Sequence, residues 1–433
     1  MALLPPLLFD ETLYHLPFVR SVAASGQLQF LTDNRFPVFP RLQELLCVPL
    51  FVFAGDVATH LVSLAEVAIT AAILFEWGDR DDIGLLAAAL FAGSPIVVLL
   101  ATIGYVDAAL ALFVTAGFYC ADRRRPLLAG LFFGTACSVK YLGGFFAVAA
   151  LVVIAFRSRK EAVAFAAACL AAALPTTLWL AASSGNPLFP FFGATPWPLT
   201  FPHVPFAERL VRTLQLAWNV TFARERVNQQ PPFTPFLILM LVVLIVASLR
   251  NARARSVAII AAAYVVAFSF LPQDSRYLVP LLPLISIVTA TAIPSRPAWL
   301  APIAVAPGFL YAVYALAVRG LPPPTAAERE AMLTRRIPEY AAVVRAGTET
   351  IYVCGGERLK YYARGTLLGD FSGPYSYDRV LSGARTTSAI ATNLRRIDVR
   401  YFLVAKRVCP PPNPDGGMDL VYEDAAAQLW RVR

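Results

Sequence analysis

Two adjacent carboxylates near the amino terminus, Asp10 and Glu11 in FDETLYHLPFVRSVAASGQL, are the residues of this chain best suited to proton transfer. On a helix, positions four apart meet. Asp10 is therefore expected near Tyr14, and Glu11 near His15. Aspartate also favours the start of a helix, where its oxygens accept backbone N–H bonds. A carboxylate held at such a start is placed to take a proton from a hydroxyl. A third acid, Asp107, stands alone in LLATIGYVDAALALF at the end of an apolar run. Cations answer these acids. Lys140, in GTACSVKYLGG, is a point charge suited to a phosphate. Arg276, followed by Tyr277 in LPQDSRYLVPLLPL, offers a planar fork matched to phosphate oxygens, or pairs with Asp274. Arg41 and Glu44, in FPRLQELL, are placed on the same rim more weakly. His15, His60 and His203 are too dispersed to indicate a metal cluster.

The elements that must carry these residues are greasy. Of 433 residues, 58% are hydrophobic and 15% charged. Apolar runs of about 16–22 residues mark a polytopic membrane bundle. Spans are expected at 57–76, 83–102, 106–121, 126–139, 141–156, 161–182, 233–249, 256–271, 277–293 and 297–318, about ten in all. Residues 10–35 and 36–55 are too polar or too proline-rich to span, and read as outer interfacial segments. The net charge of +9 sits largely in short clusters between apolar runs. That reads as a topology signal rather than a nucleic-acid surface. If Asp10 is outside, the groups Arg123–Arg125, Arg157/Arg159/Lys160, Arg250/Arg253/Arg255 and Arg296 all fall inside, as the positive-inside rule requires. The same alternation puts Asp107, Lys140, the QDSRY run and a long Pro/aromatic-rich loop, 183–232, outside.

After residue 318 the composition changes. Residues 319–336 read as a linker, and 337–433 as a soluble extracytoplasmic α/β domain. Its strands are expected in TIYVCGG, RYFLVAK, DLVYED and QLWRVR, and its helices in RLKYYAR and AIATNLRR. Cys354 and Cys409 lie in this domain, either paired or as free thiols. The six cysteines show no CxxC spacing, so neither a zinc nor a redox motif is indicated. MALLPPLLF lacks a basic start, which argues against a cleavable signal peptide.

Four stretches, DETLYHLPFVRSVAASGQL, SPIVVLLATIGYVDAALALF, SGNPLFPFFG and SRYLVPLLPL, resemble the C-type glycosyltransferase superfamily (the GT-C fold). The similarity is to the bacterial branch near protein O-mannosyltransferases and the aminoarabinose transferase of lipid A. It implies transfer of a sugar from a polyprenyl phosphate to an outer acceptor (a glycan, lipid or protein) in the bacterial inner membrane. It places the family's base at Asp10 with Glu11 beside it, and the second acid at Asp107. Lys140 and Arg276 would hold the lipid phosphate, with Tyr14, His15, Glu44 and Tyr277 around the substrate. A divalent metal stays open, since some members need one and others do not. The chain departs from its relatives in having only nine residues before Asp10, where a span is usual.

Two other readings compete. A transporter or lipid flippase would show internal repeats and midplane charges. Here no repeat is evident and the polar residues gather at one face. A truncated, non-catalytic relative is the third reading, suggested by the short amino terminus.

Overall fold

Helix α6 (Asp107–Asp122) runs from the predicted site to the opposite end of a helical bundle, and the rest of the membrane part is arranged around it. The computed structural model describes residues 1–197, 204–293 and 297–433. Before α6 come a π-helical turn at Glu11–His15, α1 (Leu16–Ser25), α2 (Leu42–Ala54), α3 (Asp56–Trp77), α4 (Asp81–Ala92) and α5 (Pro95–Leu100). After it come α7 (Pro126–Val139), α8 (Leu142–Arg157), α9 (Arg159–Ser184), α10 (Phe206–Leu214), α11 (Leu216–Phe222), α12 (Leu237–Ser248) and α13 (Ala252–Phe268). A 3-10 turn, Ser275–Leu281, leads into α14 (Leu282–Ala292), and α15 (Ala301–Arg319) closes the bundle.

Among the described residues four segments are long and apolar enough to cross a bilayer: Asp56–Trp77, Arg159–Ser184, Ser275–Ala292 and Ala298–Arg319. Helices α2, α7, α8 and α12 are apolar but shorter. Helix α9 shows how the sequence makes such an element. Ser158 caps it by accepting the Glu161 N–H, an Ala-rich run extends it, and Gly185 at φ 73° ends it. Its Val163, Leu170, Leu174 and Leu178 remain exposed, as suits a lipid-facing stripe. Its other face meets α7 closely. A Cβ on Gly130 would lie 2.2 Å from the Phe165 carbonyl oxygen, and one on Gly134 would lie 2.2 Å from that of Cys169. Small residues four apart thus let the two backbones touch.

One expected span is broken. The run 83–102 divides into α4 and α5 because Gly93, Ser94 and Pro95 interrupt it, Pro95 having no N–H to continue the ladder. Ser94 Oγ instead accepts the Thr234 N–H at 3.1 Å, tying this kink to the start of α12. The loop 183–232 also carries more structure than expected, since it contains α10 and α11.

The basic clusters gather at the end of the bundle remote from Asp107. Arg253 pairs with Asp122, Arg157 donates to the Ala121 carbonyl at 3.0 Å, and Arg124 lies 3.5 Å from Glu161. Arg296 and His203 lie outside the described residues.

The soluble part carries a five-stranded sheet in the order β2-β1-β3-β5-β4: β1 (Ile351–Cys354), β2 (Leu367–Leu368), β3 (Tyr401–Ala405), β4 (Met418–Glu423) and β5 (Ala427–Val432). The β2-β1-β3 part is parallel and β3-β5-β4 antiparallel. Both faces are covered, so β1 is apolar throughout. Ile351 and Val353 face a layer with Leu333 and Val343, while Tyr352 and Cys354 face one with Ile390 and Leu394. Cys354 and Cys409 are disulfide-bonded.

Two readings of this region need correction. Residues 326–336, taken as linker, form α16 (Ala326–Arg336), capped where Thr325 accepts the Glu328 N–H. The T-x-x-E spacing that signals such a cap is present in the sequence. RLKYYAR forms only a 3-10 turn at Glu357–Tyr361. That turn matters, because it grips the segment that follows the paired acids. Lys360 Nζ donates to Asp33 Oδ2 at 2.7 Å, and Arg20 donates to the Tyr361 and Ala363 carbonyls at 2.6 and 3.0 Å. Arg35 adds a fork to Asp370.

Candidate active site

Asp10 opens the π-helical turn, a geometry with one extra residue per turn that recurs at functional sites. Its side chain caps nothing, contrary to the helix-start expectation. The backbone at Asp10 is already helical, so its carboxylate is free to point outward. It meets Arg276, whose Nη2 donates to Asp10 Oδ2 at 2.9 Å. The same guanidinium donates to Asp274 Oδ2 at 2.6 Å and lies 3.7 Å from Asp107 Oδ2. Lys140 Nζ donates to the other Asp107 oxygen at 2.7 Å and sits 4.2 Å from the centre of the Tyr277 ring. One network therefore joins Asp10, Asp107, Lys140 and Arg276.

Local structure explains how they converge. Asp107 is the first residue of α6, Lys140 follows the last residue of α7, and Arg276 lies in the 3-10 turn leading into α14. Three helix ends and the π turn thus meet at one level. Tyr105 presents its ring 4.5 Å from the Arg276 guanidinium, and its hydroxyl accepts the Asp10 N–H at 3.3 Å.

Eight of the nine predicted site residues line one cavity of about 170 Å³, the exception being Glu11. Phe36, Phe39, Tyr141 and Phe191 add an aromatic wall. A second cavity, about 460 Å³, opens on the other side of Asp10 and Arg276, which are the two residues common to both linings.

Glu11 requires a correction. It does not meet His15, since each of the two pairs with a residue of another helix. Instead it is 1% exposed, lies 2.6 Å from His60 Nε2 and accepts the Gly104 N–H at 2.6 Å. A Cβ at position 104 would come within 2.8 Å of Glu11 Oε1, so a side chain there would push the carboxylate aside. Glu11 faces neither cavity and holds the π turn against α3 and the α5–α6 corner. His15 instead lies 2.8 Å from Glu44 Oε1, which also accepts from Arg41 at 2.7 Å.

Electrostatics fix the protonation of the acids around the cavity. Burial pushes the Asp10 carboxyl up, but the charges of Arg276 and His15 and the Arg276 hydrogen bond outweigh it and hold it below its usual value. Burial likewise opposes ionisation of Glu44, yet Arg41 and His15 bring it down to about 2. The Tyr14 phenol is pushed well above its usual value by burial and by the Asp10 charge, so it remains a donor. An ionised carboxylate, two cations and a phenol around one hollow can accept a proton and neutralise an anion.

Sequence reasoning missed Tyr105 and the roles of Gly104, His60 and Asn228. Asn228 Nδ2 donates to Asp274 Oδ2 at 2.8 Å, and so fixes the carboxylate that aims Arg276. The readable signal was the run GYVD, which puts a ring and a flexible turn directly before Asp107. A metal site does not fit these residues. Among the described residues no three His, Cys, Asp or Glu stand together for one, and Asp10 and Asp107 are already engaged with cations.

The model of glycosyltransferase family 87 matches residues 40–274, more than half of the chain. A second family model, SF2091/S2213, matches residues 328–431. No curated protein matches. Among solved structures, the fold is similar to ArnT from Cupriavidus metallidurans in the apo state (12% identity, TM-score 0.61), covering 99% of this chain and 95% of that one. It is also similar to ArnT from the same organism bound to undecaprenyl phosphate (14% identity, TM-score 0.63), covering 99% and 94%. The oligosaccharyltransferase of Archaeoglobus fulgidus in complex with Zn and sulfate aligns at 12% identity and TM-score 0.56, covering 93% of this chain and 64% of that one. The architecture is the GT-C fold, with a small sheet domain at its carboxyl end.

Proposed function

The chain belongs to glycosyltransferase family 87, and on that premise we propose that it moves a sugar from a polyprenyl phosphate to an extracytoplasmic acceptor by a single inverting displacement. The observation that carries this reading is the network joining Asp10 to Asp107 through Arg276 and Lys140, at the edge of an aromatic-walled cavity. A similar fold has been solved with undecaprenyl phosphate bound.

Asp10 is the base. Ionised and positioned, it removes the proton from the acceptor hydroxyl as that oxygen attacks the anomeric carbon. The bond from that carbon to the phosphate oxygen breaks, and the electron pair leaves with the phosphate. Lys140 and the Arg276 fork neutralise the charge that develops there, in a cavity where water is scarce and electrostatics are strong. Asp107 positions both cations. Tyr14 and Tyr277 border the same hollow and orient the sugar head. The protein is a membrane protein. On this reading its active face and its sheet domain lie outside the bacterial inner membrane, where the Cys354–Cys409 disulfide is stable.

The test uses membranes containing the full chain and a set of tritiated polyprenyl-phosphate sugars. Wild type transfers label and Asp10→Asn at equal expression loses it. Equal turnover by the two proteins would remove Asp10 from the mechanism.

A further inference from the structure

The second cavity has a composition of its own. Asp10 and Arg276 wall it from the aromatic hollow. Arg224, Arg319, Gln229 and Gln230 line its rim, and Tyr311 and Val318 of α15 line its flank. Among the described residues neither Arg224 nor Arg319 takes part in an ion pair, and Arg224 donates to the Gln229 carbonyl at 2.8 Å. Asp10 is the one acid in the lining, and it is already paired with Arg276. Two guanidinium groups without carboxylate partners, at the mouth of a 460 Å³ space with an apolar flank, form a cationic and amphipathic site. The volume lies within the roughly 300–1,000 Å³ usual for small-molecule sites.

Geometry decides what enters it. In an inverting displacement the attacking and leaving oxygens lie on opposite sides of the reacting carbon. If the donor phosphate is held beside Lys140, the acceptor hydroxyl must reach Asp10 from the other side of the Asp10–Arg276 wall. We infer that the 460 Å³ cavity is the acceptor site, and that the acceptor is an amphiphile carrying an anionic group, a phosphate or carboxylate, gripped by Arg224 and Arg319. This rests on the donor assignment made above and extends it to the second substrate.

The experiment uses the full chain in dodecyl maltoside with photoreactive octyl glucoside 6-phosphate as probe, and photoreactive octyl glucoside as its neutral counterpart. Labelled peptides are mapped by mass spectrometry. The phosphate probe should label α15 around Tyr311 and Val318 at least five-fold more than the neutral one, and an R224Q/R319Q variant should lose that excess. Decaprenyl phosphate in excess should protect peptides around Lys140 while leaving the wild-type α15 label in place, and the same Lys140 protection in R224Q/R319Q shows that the variant is folded. Equal labelling by both probes, or an R224Q/R319Q protein labelled like wild type, overturns the inference. Loss of the α15 label to decaprenyl phosphate returns the cavity to the donor and overturns it as well. Loss to an equimolar amount of phosphatidylglycerol assigns the arginines to ordinary lipid headgroups, with the same consequence. Failure of decaprenyl phosphate to protect the Lys140 peptides, with the α15 label intact, sinks the donor assignment instead.

Discussion

Arg276 Nη2 stands 2.9 Å from Asp10 Oδ2, a contact between residues 266 positions apart that separates two cavities. The guanidinium holds the Asp10 carboxyl below its usual value and also borders the cavity proposed for the leaving phosphate. Removing the carboxylate charge without changing its shape should therefore abolish proton removal and little else. D10N is expected to lower kcat by about 10²–10⁴-fold, the usual range for a lost general base. Donor binding, measured by protection with decaprenyl phosphate, should change by less than a factor of a few. A variant that loses binding and turnover together would make Asp10 a binding residue.

The depressed Asp10 carboxyl also fixes a pH profile. Below its folded pKa the base is protonated and inactive; above it the base is available. Because the value lies under the ordinary one, 3.8, kcat/KM should stay level on the acid side down to about pH 4. An acid limb centred near pH 6 that disappears in D10N would show that Asp10 is not held by Arg276 in the working enzyme.

Glu44 yields a stability prediction. Its carboxyl sits at about 2, against 4.5 for an unconstrained glutamate, so it contributes stability above about pH 4.5. That contribution declines as pH falls toward 2. E44Q leaves Arg41, which is 2% exposed, without its carboxylate. The loss at pH 7 should be about 3–5 kcal/mol, the range for breaking a buried pair from one side. The apparent Tm in detergent should fall at pH 7, and the gap to wild type should narrow at pH 3. An equal gap at both values would rule out the ion pair as its source.

Much of this was legible because charged residues are rare in the chain. Asp107, Lys140 and Arg276 are conspicuous inside apolar runs, and the basic clusters of the opposite end are equally so. The fold followed from those landmarks and the glycosyltransferase class from the resemblance of four stretches to the GT-C superfamily; the match to glycosyltransferase family 87 sets the transporter reading aside. Partner choice did not follow. Glu11 finds His60 rather than His15, a partner 49 positions away that only the packing of α3 against the π turn brings near. The break at Gly93–Pro95 and the Thr325 cap were written in local chemistry and simply outweighed by the greasy or proline-rich surroundings. The second cavity was invisible, since Arg224 and Arg319 are 95 positions apart and converge only through α15.

The sheet domain should matter for turnover through its grip on the segment 20–35. Lys360 is 6% exposed and donates to both the carboxylate and the carbonyl of Asp33, at 2.7 and 2.6 Å. K360M leaves Asp33 without that partner and should loosen residues 26–40. Limited proteolysis within that stretch should accelerate, and kcat should fall more than donor KM rises. An unchanged proteolysis pattern together with unchanged kcat would mean that the contact is incidental.

The disulfide tests sidedness. Cys354 and Cys409 close a loop 55 residues apart, and removing the bond by C354S/C409S should cost the sheet domain about 2–4 kcal/mol. In sealed cells, a membrane-impermeant maleimide should modify the pair only after reduction, and from the outside. Labelling that needs no reductant but appears only once the cells are permeabilised would place the domain in a reducing compartment and reverse the proposed orientation.

Lys140 separates the phosphate-gripping role from a purely structural one. Its ammonium is paired with Asp107, which is 1% exposed on its side chain, while Lys140 itself keeps 17%. The cation is thus anchored on one side and open to the cavity on the other. K140M removes the charge and leaves Asp107 facing Arg276 alone. A charge-assisted hydrogen bond is worth about 1.5–3 kcal/mol, so kcat/KM for the donor should fall by roughly 10–100-fold. K140R keeps the charge but replaces a point cation with a fork, and should recover part of the loss. If the damage came only from an unpaired Asp107, then K140M/D107N would restore turnover. The phosphate role predicts that it does not, because nothing in the double variant supplies the missing positive charge to the departing oxygen. Single-turnover rates for the four proteins decide between the two.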